Sequence, residues 1–160
     1  MTVSKTKLSW DQLFINMTLM LADKSTCAKM QVGAVLVKQN RIISMGYNGV
    51  PKGKEHCSDH FVDPKWSDPV NEKQFLEEHH HFAIRNEIHA EMNAILFAAR
   101  SDVSTEDTLM YASWSPCIEC AKAMLVAGIK KSYYNKLYER DTEGVEFLIE
   151  NGIPCEQIDI

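Results

Sequence analysis

The strongest constraint on this chain is a pair of short stretches that belong together. His89-Ala90-Glu91 opens HAEMNAILFAAR, and Pro116-Cys117-Ile118-Glu119-Cys120 opens PCIECAKAMLVAG. Each stands where a helix is expected to begin. Between them they offer one imidazole and two thiolates, groups that bind zinc when deprotonated. Three N/S ligands leave the fourth tetrahedral position for water, the arrangement of a catalytic zinc site. Glu91 is a carboxylate beside that set with no ligand role left to fill, so it is free to move protons.

A length of 160 residues and a hydrophobic fraction of 45% fit one globular domain, residues 1–160, with a core that needs no staples. No stretch is long and apolar enough to span a bilayer. MTVSKTKLSW lacks the apolar core of a signal peptide, so a cytoplasmic protein is expected. Five cysteines in that compartment read as metal ligands or free thiols rather than disulfides. A net charge of −5 disfavours a protein that coats nucleic acid, while leaving room for a local basic pocket for one phosphate.

Along the chain, Ser9 with Gln12 reads as a capping box, and Trp10, Leu13, Phe14, Met17 and Leu21 repeat at helical spacing, which predicts a helix over Trp10–Asp23. VGAVLV (32–37) and RIISMGYN (41–48) read as a hairpin. From Gly49 a long, weakly periodic insertion is expected, with a short helix near Pro69 capped by Asp68. Asn86–Arg100 reads as a helix with Met92, Ile95, Leu96 and Ala99 on one face. LMYAS (109–113) is a strand. The next helix has Pro116 at its first position and Gly128 at its stop. Ile129–Asn135 is a strand, Thr142–Asn151 a helix ended by Gly152, and IPCEQIDI a last strand. The order α-β-β-α-β-α-β-α-β implies one sheet with helices packed on it, an α/β domain.

Cys117 and Cys120, three apart in a first helical turn, lie side by side, and the free N–H groups there favour thiolates. His89 and Glu91 are two apart and do not share a helical face, so the metal must sit between them or off the helix axis. The pattern H-x-E with P-C-x-x-C is the signature of zinc deaminases acting on cytosine or adenine. It implies hydrolytic deamination: zinc lowers the pKa of its water towards about 7, Glu91 takes the proton, C4 of the ring is attacked, and Glu91 passes protons to N3 and to the leaving ammonia. A structural zinc or chance spacing is the competing reading.

The chain resembles the cytidine deaminase superfamily, and within it the deoxycytidylate (dCMP) deaminases of the phage type. VGAVLV, RIISMGYNGVPKG, NEIHAEMNAILFAAR and SPCIECAKAM carry the resemblance in order, from Ser25 to about Tyr138. G-Y-N-G-x-P-x-G (Gly46–Gly53) points to deoxynucleotide monophosphates. The resemblance implies a three-layer α-β-α domain around a five-stranded mixed sheet and conversion of dCMP to dUMP for dTMP synthesis. It implies that Asn48 contacts the sugar-phosphate, that Ala90 lends a backbone N–H to the base, and that Ser25, Ser115 and Tyr138 complete the substrate site. It further implies a homo-hexamer in the cytoplasm (the host's, for a phage protein), activated by dCTP with Mg²⁺ and inhibited by dTTP. The effector would lie near Asn48, Gly49, Lys52 and Gly53. Read without the resemblance, Asn48 is a turn former in Y-N-G, and Lys24, Lys29, Lys52 and Lys54 are either anion contacts or solvated lysines.

Cys155 reads as a small core residue. Cys27 and Cys57 remain, with His56, His60, the run His79-His80-His81 and Glu87 around them. A second, structural zinc would hold the insertion at about 49–86 to the body; the rival is a buried cysteine and a solvated histidine run. The resemblance selects Cys27, Cys57, His79 and Glu87, with His56 in place of Glu87 as the variant. Three other functions compete: a polynucleotide deaminase, which needs a basic and aromatic channel; a free cytidine or deoxycytidine deaminase, which needs no 5′-phosphate; and a catalytically silent, nucleotide-sensing zinc protein.

Overall fold

The computed structural model of the chain describes residues 7–160. Residues 1–6, most of the stretch weighed above as a leader, lie outside the described residues. Helix α1 (Trp10–Ala22) starts at the expected capping box: Gln12 N donates to Ser9 Oγ and Ser9 N donates to Gln12 Oε1, both at 3.1 Å. The hairpin follows as β1 (Gly33–Lys38) and β2 (Arg41–Tyr47), paired antiparallel across a turn with positive φ at Gln39 and Asn40.

The remaining strands are β3 (Thr108–Trp114), β4 (Ile129–Lys136) and β5 (Cys155–Gln157), in the order β2-β1-β3-β4-β5. β1 pairs antiparallel with β3, whereas β3–β4 and β4–β5 are parallel, so the sheet is mixed. Strand β1 is buried on both faces, which its unbroken run GAVLV requires. Ala34 and Leu36 point into one core with Met110, Ala112 and Leu148; Val35 and Val37 point into the other with Phe14, Ile15 and Tyr111. Three layers result. Helix α1 covers one face, tied to β3 by Tyr111 donating to Asp11 Oδ1 at 2.6 Å. The other face carries α4 (Ala90–Arg100), α5 (Ile118–Val126) and α6 (Glu143–Glu150).

Four local expectations need correction. Helix α4 starts at Ala90 rather than Asn86, because Glu87–His89 is extended and Ile88 bridges to Gly49. Its buried face is Ala90, Glu91, Ala94 and Ala98, while Leu96 and Phe97 are exposed. Small residues are needed there because α4 lies against β2: a Cβ on Gly46 would fall 2.3 Å from Ala90 O and 2.6 Å from Ala94 N. Pro116 sits before α5 rather than in its first turn, since Cys117 is the N-cap.

The insertion is the fourth correction. It holds a short helix α2 (Cys57–His60), 3₁₀ turns at Pro64–Ser67 and Pro69–Asn71, and the 15-residue helix α3 (Glu72–Asn86). Asp68 does cap the second turn, accepting from Val70 N. The insertion builds a small core of its own from Phe61, Trp66, Phe75 and Phe82 around Cys27 and Cys57. Phe61 meets Trp66, Phe75 and Phe82 edge-on at 5.3–5.7 Å, pairs worth about 0.5–1.5 kcal/mol each beyond burial.

Candidate active site

Two helix starts deliver the donor set. The extended N-cap His89 (φ −66°, ψ 154°) precedes α4, and β3 runs through Ser115 and Pro116 into the N-cap Cys117 (φ −74°, ψ 168°). Both Cys117 Sγ and Cys120 Sγ lie 3.4 Å from His89 Nδ1, and the three donor atoms lie within 4.8 Å of one another. The i, i+2 difficulty vanishes because His89 is not helical: the backbone turns from extended to helical between it and Glu91. The set fits zinc, being one nitrogen and two sulfurs converging on a point that opens on a cleft. Contact with Cys120 Sγ, then with the His89 imidazole, pushes the Cys117 thiol down, while Cys120 goes well up because the first proton lost makes the second hard to lose. The Cys117 contact, more than burial can oppose, lifts His89 to about 9.

Glu91 is only 4% exposed, and burial pushes its carboxyl above the usual range. A buried carboxyl with a raised pKa is suited to alternate between taking and giving a proton near neutrality.

The cleft measures about 720 Å³. Glu91, Met92 and Leu96 line one side, Trp114, Ser115 and Tyr138 another, and His80, Ala83 and Ile84 of α3 form a third wall. Among the described residues, Lys29 is the one lysine on its lining. The expected substrate residues fall unevenly. Asn48, Ala90, Ser115 and Tyr138 line the cleft; Ser25, Gly49, Lys24, Lys52, Gly53 and Lys54 do not. Ser25 Oγ instead accepts from Cys27 N at 3.2 Å. Asn48 is braced on both ends of its amide, with Oδ1 accepting from Val32 N and Nδ2 donating to Met30 O, both at 2.8 Å. Ser115 Oγ accepts from Tyr138 N at 2.8 Å and so holds that side of the rim. Sequence reasoning missed His80, Ile84 and Trp114. His80 and Ile84 are one helical turn apart on α3, a signal visible only if that helix is foreseen.

A second cluster lies beside the first. Donor atoms of Cys27, Cys57, His79 and Glu87 are within 4.8 Å of one another. Cys27 Sγ is 3.2 Å from His79 Nε2, and Ala28 N donates to Cys57 Sγ at 3.3 Å. Both thiols and His79 are buried. Glu87 Oε1 is buried with no hydrogen-bond partner, an orphan oxygen that a cation would satisfy. Burial, then the Cys27 charge, raises the Glu87 carboxyl to about 7. Four closed N/S/O donors are the make-up of a structural zinc site. His56 stands apart, with Nδ1 3.0 Å from Thr26 Oγ1.

The sequence model of the family described as "Cytidine and deoxycytidylate deaminase zinc-binding region" matches residues 8–136. The deoxycytidylate deaminase of Enterobacteria phage T4 is 36% identical over 156 residues, covering 83% of this chain and 81% of that protein. ComE operon protein 2 of Bacillus subtilis (strain 168) is 34% identical over 154 residues, covering 96% and 74%. Among solved structures, the dCMP deaminase of cyanophage S-TIM5 in complex with dCMP and dUMP superposes with a TM-score of 0.75 at 28% identity, covering 96% of this chain and all of that one. The His89–Cys117–Cys120 geometry and these matches lead to one assignment: the chain belongs to the cytidine and deoxycytidylate deaminase family.

Proposed function

We propose that the chain hydrolyses dCMP to dUMP and ammonia. One observation carries this reading: a three-donor zinc set opens on a cleft beside a buried carboxyl that has no ligand role. His89, Cys117 and Cys120 would hold the metal, which when bound supplies the Lewis acidity that makes water nucleophilic at neutral pH. Glu91 accepts a proton from that water as C4–O forms and delivers protons to N3 and to the amino group as C4–N breaks. Ala90, buried at the start of α4, offers backbone polar groups to the base edge. Trp114 and Tyr138 supply apolar surface for the ring and sugar.

A 5′-phosphate needs a cation. Among the described residues the cleft lining offers Lys29, and His80 adds a ring N–H donor. That supports a nucleotide over a free nucleoside, and a single phosphate over a polynucleotide channel. The phage T4 relative named deoxycytidylate deaminase and the S-TIM5 structure holding dCMP and dUMP support the same substrate. The intact Glu91 speaks against a silent sensor.

Finer elements of the proposal rest on the family resemblance: activation by dCTP with Mg²⁺, inhibition by dTTP, binding of these effectors around Asn48–Gly53, a homo-hexamer, and a cytoplasmic location. No helix among the described residues is long and apolar enough to cross a membrane. The buried cluster would hold a structural zinc that fastens the insertion to a single domain.

The test is ammonia release from dCMP and from deoxycytidine, each with and without dCTP plus Mg²⁺. Turnover of dCMP well above deoxycytidine is expected, and equal or absent turnover of both refutes the substrate. Glu91→Gln should lower kcat by about 10²- to 10⁴-fold with zinc content unchanged; retained turnover removes the role assigned to Glu91.

A further inference from the structure

The two donor sets are joined by a closed circuit of short links. Glu87 of the buried cluster and His89 of the open set are two residues apart, in one extended segment between α3 and α4. The residue between them, Ile88, exchanges both backbone hydrogen bonds with Gly49: Ile88 N donates to Gly49 O at 2.8 Å, and Gly49 N to Ile88 O at 3.1 Å. The neighbour of Gly49, Asn48, grips the 27–32 loop through Val32 N and Met30 O. That loop begins at Cys27, where Gln31 Nε2 also ties it down by donating to Cys27 O at 2.6 Å. Cys27 and Glu87 then meet in the buried cluster. The ring therefore runs Cys27, Val32, Asn48, Gly49, Ile88, Glu87 and back to Cys27. Every link but the last is a backbone segment or a hydrogen bond of 3.1 Å or less; the last needs whatever the four buried donors hold.

We infer that the buried cluster is a positioning device for the open set: closing it fixes where His89 stands, and so sets how tightly His89, Cys117 and Cys120 hold their zinc. The inference rests on the reading that both sets bind zinc. Its physical basis is reach. His89 lies one residue beyond the Ile88–Gly49 bridge, a Cα step of about 3.8 Å, and a metal site tolerates ligand displacements of only about 0.2 Å. With the cluster open, the orphaned Glu87 carboxylate must find water, and the segment carrying His89 is freed at one end. Loss of groups that orient a metal ligand weakens metal binding by about 10- to 100-fold. Coupling of this kind is reciprocal, because a free energy shared by two sites acts equally on both.

The test is equilibrium competition for zinc by a chromophoric chelator on the purified full chain. Wild type should release two zinc ions in two affinity classes. Cys57→Ser, which touches the ring backbone only at Ala28 N, where a serine hydroxyl can also accept, and does not touch the open set, should lose the buried ion and bind the remaining one about 10- to 100-fold more weakly. Cys120→Ser should weaken the buried ion by the same factor. Cobalt substitution of Cys57→Ser should change the visible absorption of the remaining ion, as expected when His89 is displaced. Cys57→His, which restores a ligand, should recover most of the affinity. Phe14→Leu, in the core under α1 on the opposite face of the sheet, should lower Tm yet leave both affinities within threefold. If Cys57→Ser does not fold, near-isosteric Glu87→Gln serves in its place. Two ions bound with independent affinities in folded variants overturn the inference while sparing the site assignments. A wild-type chain that holds fewer than two ions overturns those assignments and the inference with them.

Discussion

Gly144, in the first turn of α6, faces the loop that carries Cys117, one of the three residues proposed to hold zinc. A Cβ placed there would lie 2.1 Å from Pro116 O, 2.6 Å from Cys117 C and 2.7 Å from Cys117 O. Real contacts essentially never fall under 3.0 Å and ordinary ones begin at 3.4 Å, so either α6 retreats or the Pro116–Cys117 peptide moves by about 0.9–1.3 Å. The obstacle is backbone, which cannot swing aside as a side-chain tip can. Overpacking of this kind costs about 1–3 kcal/mol, or about 2–12 °C in Tm for a chain of this size. The functional effect should exceed the stability effect, because a shift near 1 Å at a catalytic group costs about 10²-fold in rate. Gly144→Ala is therefore expected to fold at 25 °C with a lowered Tm, weakened zinc retention and kcat for dCMP reduced about 100-fold. Gly152→Ala is the control. Gly152 has φ +80° with nothing within 4 Å of a Cβ, so about 1–2 kcal/mol of backbone strain should appear in Tm alone. A Gly144→Ala protein that keeps its zinc and turns over within threefold of wild type would refute the reasoning.

Asn48→Ala orphans Val32 N and Met30 O, each worth about 1–3 kcal/mol when left unpaired; calorimetric unfolding should show a loss of about 2–6 kcal/mol, and a loss below 1 kcal/mol would show that water replaces the brace. Lys29→Gln should raise KM for dCMP by about 10-fold or more, the worth of a charged hydrogen bond, with turnover of deoxycytidine unchanged; equal effects on both substrates would place the phosphate elsewhere. Zinc binding to the open set should release protons. Metal-free His89, lifted to about 9, carries its proton at pH 7.5, as does Cys120, whereas Cys117 is already ionised. About two protons per zinc should therefore leave, and affinity should fall as pH falls below 9. Calorimetry in buffers of different ionisation enthalpy measures the number, and a value below one contradicts the assignment of His89.

What the sequence disclosed tracks the kind of physics involved. Chemistry was legible: H-x-E and C-x-x-C are short, local and demanding, and the structure gathers His89, Cys117 and Cys120 into one set. Strand β1 was legible because burial on both faces imposes the apolar run GAVLV, and β2 because RIIS follows it across a short polar turn. Helix α3 was not: its inward residues Phe75, His79 and Phe82 stand at helical spacing, but one is a histidine inside the polar run EEHHH, and they pack on a satellite core rather than the main one. The inward face of α4 was misassigned for the opposite reason. Its large residues suggested a buried stripe, yet β2 approaches so closely at Gly46 that α4 turns the small residues Ala90 and Ala94 towards it. Asn48 was read as a turn former or a substrate contact, and its bonds to Val32 and Met30 depend on a loop brought near only by the fold.

Cys57 near one end of the insertion and His79 with Glu87 near the other lie in one buried cluster, and between these the turn at Ser67–Val70 is exposed. Loop-closure entropy grows only with the logarithm of length, about 0.6 kcal/mol for each doubling. Extra residues spliced between Ser67 and Val70 would thus cost little beyond the Asp68 cap on Val70 N, since neither the buried cluster nor the cleft wall of α3 has to move. That turn is a natural port: a place where a fluorophore-bearing peptide or an affinity handle can be housed while the chemistry next door runs undisturbed.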